Sequence, residues 1–162
     1  MREDTLGSEP ITLFNPAFCA VLLNKAAGAY EKKSKCALPL TYAFLILPSA
    51  LHLTTRRKLP SKTSASMWSW VRSHPDIVLD FADRARSLRP FTADAIKFGL
   101  QYGALIYTRG SLSSGTLKRR PRNFQATNDW QDCVNAAEFL GRWFGLSKVD
   151  EPTMLTLWGV RL

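Results

Sequence analysis

The run from Leu38 to Leu53 (LPLTYAFLILPSALHL) constrains the fold more than any other stretch, because it is apolar on nearly every side. A helix with apolar residues all round must be covered on several faces, so this segment is expected to form the centre of the core. Pro39 and Pro48 interrupt it, and Pro48 is expected to kink or shorten the helix, since proline lacks the N–H that continues the ladder. The same two prolines, with its modest length, exclude a membrane span.

The other segments read as its cover. Phe14-Asn15-Pro16 has the form of a helix entry, with Asn15 as N-cap, Pro16 as first helical residue and Phe14 placed to staple onto Cys19. That helix is expected to reach about Lys32. A short helix follows over about Ser64–Ser73, with Met67, Trp68, Trp70 and Val71 inward. His74-Pro75-Asp76 starts another, running to Leu88, whose Ile77, Val78, Phe81, Ala85 and Leu88 share one face. Thr92 is placed to cap a third helix ending near Gly103. Leu105 to Thr108 has strand character, and Thr116 to Arg120 is expected as the return strand of a hairpin. Thr127 caps a last long helix to about Gly145, and Met154 to Leu162 reads as a short apolar strand or tail. Met1 to Pro10 reads as a flexible N-terminal arm, and residues 11–162 as one domain.

The resulting fold class is mainly α with a small β-hairpin, in winged-helix-like order: helices, then a hairpin with a basic tip. Charge supports a polyanionic or acidic partner. Arg56, Arg57, Lys58 and Lys62 lie in one acid-free segment, and Arg109, Lys118, Arg119, Arg120 and Arg122 in another. Setting these nine aside leaves 13 of the 22 basic residues, equal to the 13 acids, so the two segments carry the whole net charge of +9. Phosphate contact with double-stranded DNA through these nine residues is the reading that follows. The third helix offers only Lys97 and Gln101 to base edges, which argues against sequence-specific reading of the major groove. That helix is also apolar on two sides. Its Phe98 and Tyr102, with Leu157 and Trp158 of the tail, are therefore candidate protein-interface residues.

No catalytic constellation emerges. Gly110 and Gly115 have P-loop spacing but lack the lysine that reaches the phosphates, and Ser111, Ser113 and Ser114 have no neighbouring His or Asp. Asp76, Asp80 and Asp83 fall on a solvent face beside Arg84 and Arg86. Cys19, Cys36 and Cys133 form no Cys-x-x-Cys pair and suit a reducing compartment. Met1 to Glu9 is polar, without the apolar core of a leader. The chain is accordingly read as non-enzymatic and cytoplasmic, with no metal and no cofactor.

Several of these features arrive in a familiar order: Asn15-Pro16-Ala17-Phe18-Cys19, Pro39-Leu40 to Pro48, Thr55-Arg56 through Leu59-Pro60, Lys62-Thr63-Ser64 and the Trp-containing helix. With Phe81-Ala82-Asp83-Arg84, Trp143 and Gly159-Val160-Arg161, they resemble the middle components of bacterial three-component ABC ATPase systems, over about residues 12–162. The resemblance implies a small non-enzymatic adaptor joining an SMC/Rad50-like ABC ATPase to an effector, commonly a nuclease, in anti-phage or anti-plasmid defence of the Lamassu type. The alternative is a stand-alone winged-helix regulator that binds nucleic acid, for which a two-fold dimer is expected.

Overall fold

In the computed structural model, residues 14–120 and 122–161 are described, and the arm read over Met1 to Pro10 lies outside them. Among the described residues the order is α1 (Pro16–Ser34), β1 (Leu38–Pro39), α2 (Leu40–Leu51), α3 (Leu53–Lys58), α4 (Met67–Ser73), α5 (Pro75–Gln101), β2 (Leu105–Thr108), β3 (Ser111–Ser114), α6 (Asn128–Leu146) and α7 (Glu151–Leu157). The protein is mainly helical with a three-stranded antiparallel sheet ordered β1-β3-β2.

The apolar run does occupy the centre. Leu38 and Pro39 are strand rather than helix, pairing with Leu112 and Ser111 of β3. α2 then carries Tyr42, Ala43, Leu45, Ile46 and Leu47 into the core. It contains Pro48 and ends soon after, at Leu51. α1 and α6 pack against each other more extensively than any other pair. Their approach depends on Gly141, where an added Cβ would fall on the Ala26 carbonyl oxygen, well inside van der Waals contact.

The main departure from the sequence reading is α5. The two helices expected over Pro75–Leu88 and Thr92–Gly103 are one helix of 27 residues, with Pro90 inside it. Proline deprives the carbonyl four residues back of its donor. Arg86, Arg89, Pro90 and Phe91 are all exposed, so water can take up that carbonyl. Meanwhile Ile77, Phe81, Ala85, Leu88, Thr92, Ala95, Ile96 and Gly99 form one buried stripe straight through the proline. Burial of that stripe outweighs the cost of an interior proline, about 3 kcal/mol from the lost hydrogen bond and the ring's clash with the preceding turn.

The hairpin also differs. β2 forms as expected, but its return strand is Ser111–Ser114 rather than Thr116–Arg120. Arg109 (φ 49°) and Gly110 (φ 79°) both take left-handed conformations. They make a two-residue turn between the paired Thr108 and Ser111, the geometry that suits the strand twist.

The C-terminal segment is the third departure. Asp150 caps α7, with Pro152 in its first turn, so the segment from Met154 that reads as a strand or tail begins inside a helix. Trp158 follows, 0% exposed, against Trp70 (5.5 Å between ring centroids), Phe81 (5.0 Å) and Phe144 (5.9 Å). Two indole N–H groups fasten the loop between α3 and α4: Trp70 Nε1 donates to the Lys58 carbonyl and Trp143 Nε1 to the Ala65 carbonyl, each at 2.8 Å. Trp68, expected inward, is 48% exposed. Phe14 stacks on Phe91 of α5 at 5.2 Å, a contact the expected staple did not foresee.

Candidate functional site

A groove of about 770 Å³ is bounded by α1, the end of α5, the start of α6 and the segment leaving β3. Its construction begins with Asn24, a polar residue buried on α1. The Asn24 side-chain amide donates to the carbonyls of Ala104 (2.7 Å) and Gly115 (3.1 Å). Glu31 Oε1 accepts from the Ser114 backbone N–H at 2.9 Å. These bonds fasten the base of the hairpin to α1. Gly115 is required there, because a Cβ would overlap the Gly103 carbonyl oxygen. The chain beyond Gly115 is thereby directed across the mouth of the groove, where Thr116 to Arg120 forms one wall.

The floor is apolar, with Phe18, Val21, Phe98, Leu117 and Trp130 among its residues. Phe18 and Trp130 lie 5.8 Å apart, Phe124 and Trp130 5.5 Å, and Phe98 and Tyr102 4.5 Å. Over these rings sit the cations. Lys118 Nζ is 5.6 Å from the centre of Tyr102, and Arg120 Cζ is 4.2 Å from Trp130 and 5.2 Å from Phe124. These are cation–π distances.

Of the nine basic residues singled out by charge, Lys118, Arg119 and Arg120 line this groove. Arg109 is at the hairpin turn, and Arg57, Lys62, Arg109 and Arg122 are exposed or partly exposed, without an ion-pair partner among the described residues. Arg56 does not present its charge outward. Its side chain is only 7% exposed, donates to the Ala50 carbonyl at 3.0 Å and faces Asp129 at 3.6 Å. Lys58 is paired with Asp76 at 2.9 Å, and that hydrogen bond is the leading cause holding the Asp76 carboxyl below its usual range. The acid-free segment is thus partly neutralised by acids distant in sequence.

The four apolar candidates separate as well. Phe98 and Tyr102 face the groove, and Tyr102 is 50% exposed. Leu157 is partly buried against the core, and Trp158 belongs to the core itself rather than to an exposed surface. The residues that charge counting missed are Phe18, Phe124 and Trp130. The signal that marks two of them is the aromatic spacing of Phe124 and Trp130 directly after the Lys118–Arg122 cations.

Burial raises the Cys19 thiol to about 12 and the Cys133 thiol to about 11, which keeps both protonated and unreactive in the core. Asp83 pairs with Arg86, and no cluster of three His, Cys, Asp or Glu suited to a metal occurs among the described residues. No described helix is long and apolar enough to cross a membrane.

The chain is thus mainly helical and carries an aromatic, cation-rimmed groove. Comparison with known families gives its class: the middle components of ABC-three component systems. The chain belongs to the family described as ABC-three component (ABC-3C) system Middle Component 3, or MC3, which matches residues 4–162. Neither a curated protein nor a solved structure matches the chain.

Proposed function

We propose that this protein is a non-enzymatic, cytoplasmic adaptor that links an SMC/Rad50-like ABC ATPase to an effector, a nuclease by the resemblance, within a defence complex. The observation that carries the reading is the family match over nearly the whole chain to a middle component. A docking role is further supported by the aromatic groove, which is too apolar at its floor to be left to water without cost. Co-expression with the other components of its system, followed by mass measurement of the purified assembly, tests it. A chain that purifies alone and leaves the ATPase and effector joined to each other rejects the adaptor role.

Sequence-independent contact with double-stranded DNA is the second element of the proposal, assigned to Arg57, Lys62, Arg109 and Arg122. These four have no acidic partner among the described residues, whereas Arg56 and Lys58 are held in ion pairs. Changing all four to Ser should flatten the plot of log affinity against log salt by about 3–4, at roughly 0.9 per phosphate contact. An unchanged slope in filter binding by the assembled complex removes DNA from the function.

The regulator alternative draws support from the sheet order β1-β3-β2, which pairs a strand after the first helix with a hairpin, as in winged-helix proteins. A stable homodimer that binds DNA without the other components would favour the regulator.

A further inference from the structure

We propose that the groove between α1, α5 and α6 receives an acidic peptide segment of a protein partner, with carboxylates on the cationic rim and aliphatic or aromatic side chains on the floor. The inference deepens the adaptor reading and rests on it for the source of the segment.

The first support is charge complementarity. Among the described residues, Lys25, Lys118, Arg119 and Arg120 line the groove, and no Asp or Glu does. None of the four makes an ion pair among the described residues, although Arg56, Lys58, Arg86 and Arg142 all do. Cations gathered without acids repel one another, and an anionic occupant removes that repulsion while fixing its own register.

The second is the floor. A volume of about 770 Å³ is within the range that admits several side chains at once. Phe18, Val21, Phe98 and Leu117 give that floor no charged group. A free phosphate or a bare acidic surface satisfies the rim and leaves the floor uncovered, whereas an acidic peptide with apolar side chains satisfies both.

The third distinguishes peptide from nucleic acid. Binding of single-stranded nucleic acid uses aromatic faces as stacking platforms for bases. Here Lys118 lies over Tyr102 and Arg120 over both Trp130 and Phe124, so the cations already occupy those faces. A guanidinium resting on a ring keeps the in-plane N–H donors that bind a carboxylate bidentately.

The test is fluorescence anisotropy on the full chain, using a short fluorescein-labelled peptide in which Glu and Asp alternate with Leu and Phe. Saturable binding that weakens with salt is expected. Lys118→Ser with Arg119→Ser should lower affinity about tenfold, and Tyr102→Ser by a similar factor. All three residues are exposed, and unchanged melting would show that the fold is kept. Equal binding of a peptide with Lys in place of the acids, or with Ser in place of Leu and Phe, overturns the proposal. So does an oligothymidine that binds more tightly and displaces the peptide. Assembly with the ATPase and effector is measured beside it. If the complex forms, survives the groove variants and the peptide does not bind, the groove inference fails and the adaptor reading stands. If the peptide binds and no complex forms, the adaptor reading fails alone.

Discussion

Replacing Trp158 with Ala removes the centre of an aromatic cluster. The side chain is 0% exposed and touches Trp70, Phe81 and Phe144. Burying about 200 Å² of ring at about 25 cal/mol per Å² corresponds to about 5 kcal/mol. Partial collapse of the cavity recovers some of this, which places Trp158→Ala at about 3–5 kcal/mol. Trp158→Phe separates packing from polarity. The indole Nε1 is buried without a hydrogen-bond partner among the described residues, a loss of about 1–3 kcal/mol that phenylalanine does not incur. Phenylalanine leaves a smaller void, costing on the order of 1–2 kcal/mol. The two changes oppose each other, so Trp158→Phe should stay within about 1 kcal/mol of the parent. Urea unfolding followed by helical circular dichroism reads both, and Trp158→Ala should lower the Tm by roughly 6–20 °C. If Trp158→Phe loses as much as Trp158→Ala, the N–H has a partner and the reasoning fails. If Trp158→Ala keeps full stability and loses only its assembly partners, Trp158 is an interface anchor after all.

Gly141→Ala should destabilise by about 1–3 kcal/mol in the same assay, although alanine is the better helix former, because its Cβ meets the Ala26 backbone rather than a side chain able to move. Equal or greater stability would place α1 and α6 farther apart than described. Trp68→Ser, at an exposed position, should leave stability within about 0.5 kcal/mol; a loss like that of a core tryptophan would contradict its exposure. The His52 pKa is lowered, chiefly by burial and then by the Arg84 and Arg56 charges. The unfolded chain therefore binds a proton that the folded chain resists, so the associated stability is present above the usual histidine pKa and is lost as pH falls through the lowered one. His52→Asn should flatten the decline in stability below about pH 6.5, and an unchanged pH profile would remove His52 as its source.

Local chemistry was readable where one residue carries the decision. Asn15 accepts from the Ala17 and Phe18 N–H groups, Thr127 from that of Trp130, and Pro75 opens α5, all as the spacing indicates. Thr92 misled because a capping residue signals a helix start locally, while the continuity of the buried stripe from Ile77 to Gly99 is a property of the whole helix. The return strand was misplaced because Arg109-Gly110 reads as the start of a long loop; its tight turn depends on a positive φ at an arginine. Counting charge along the chain overstated the free cations, since Asp129 reaches Arg56 and Asp76 reaches Lys58 only after folding. The groove escaped notice for a related reason. Phe18, Phe98 and Trp130 come from three helices, and nothing local announces that their rings share a wall.

The clamp at Asn24 has a consequence for the order of events in synthesis. Its amide is 6% exposed, and its two acceptors lie 80 and 91 positions downstream. α1 therefore leaves the ribosome well before the carbonyls that complete it, and closing so long a loop is a slow, non-local step. In pulse-labelled hydrogen exchange, protection at the hairpin base should arrive no earlier than protection within α5; earlier protection would refute this order. On the docking proposal, a nascent or half-folded chain offers a partner no finished rim, so assembly would take up only chains in which α1 has met the base of the hairpin.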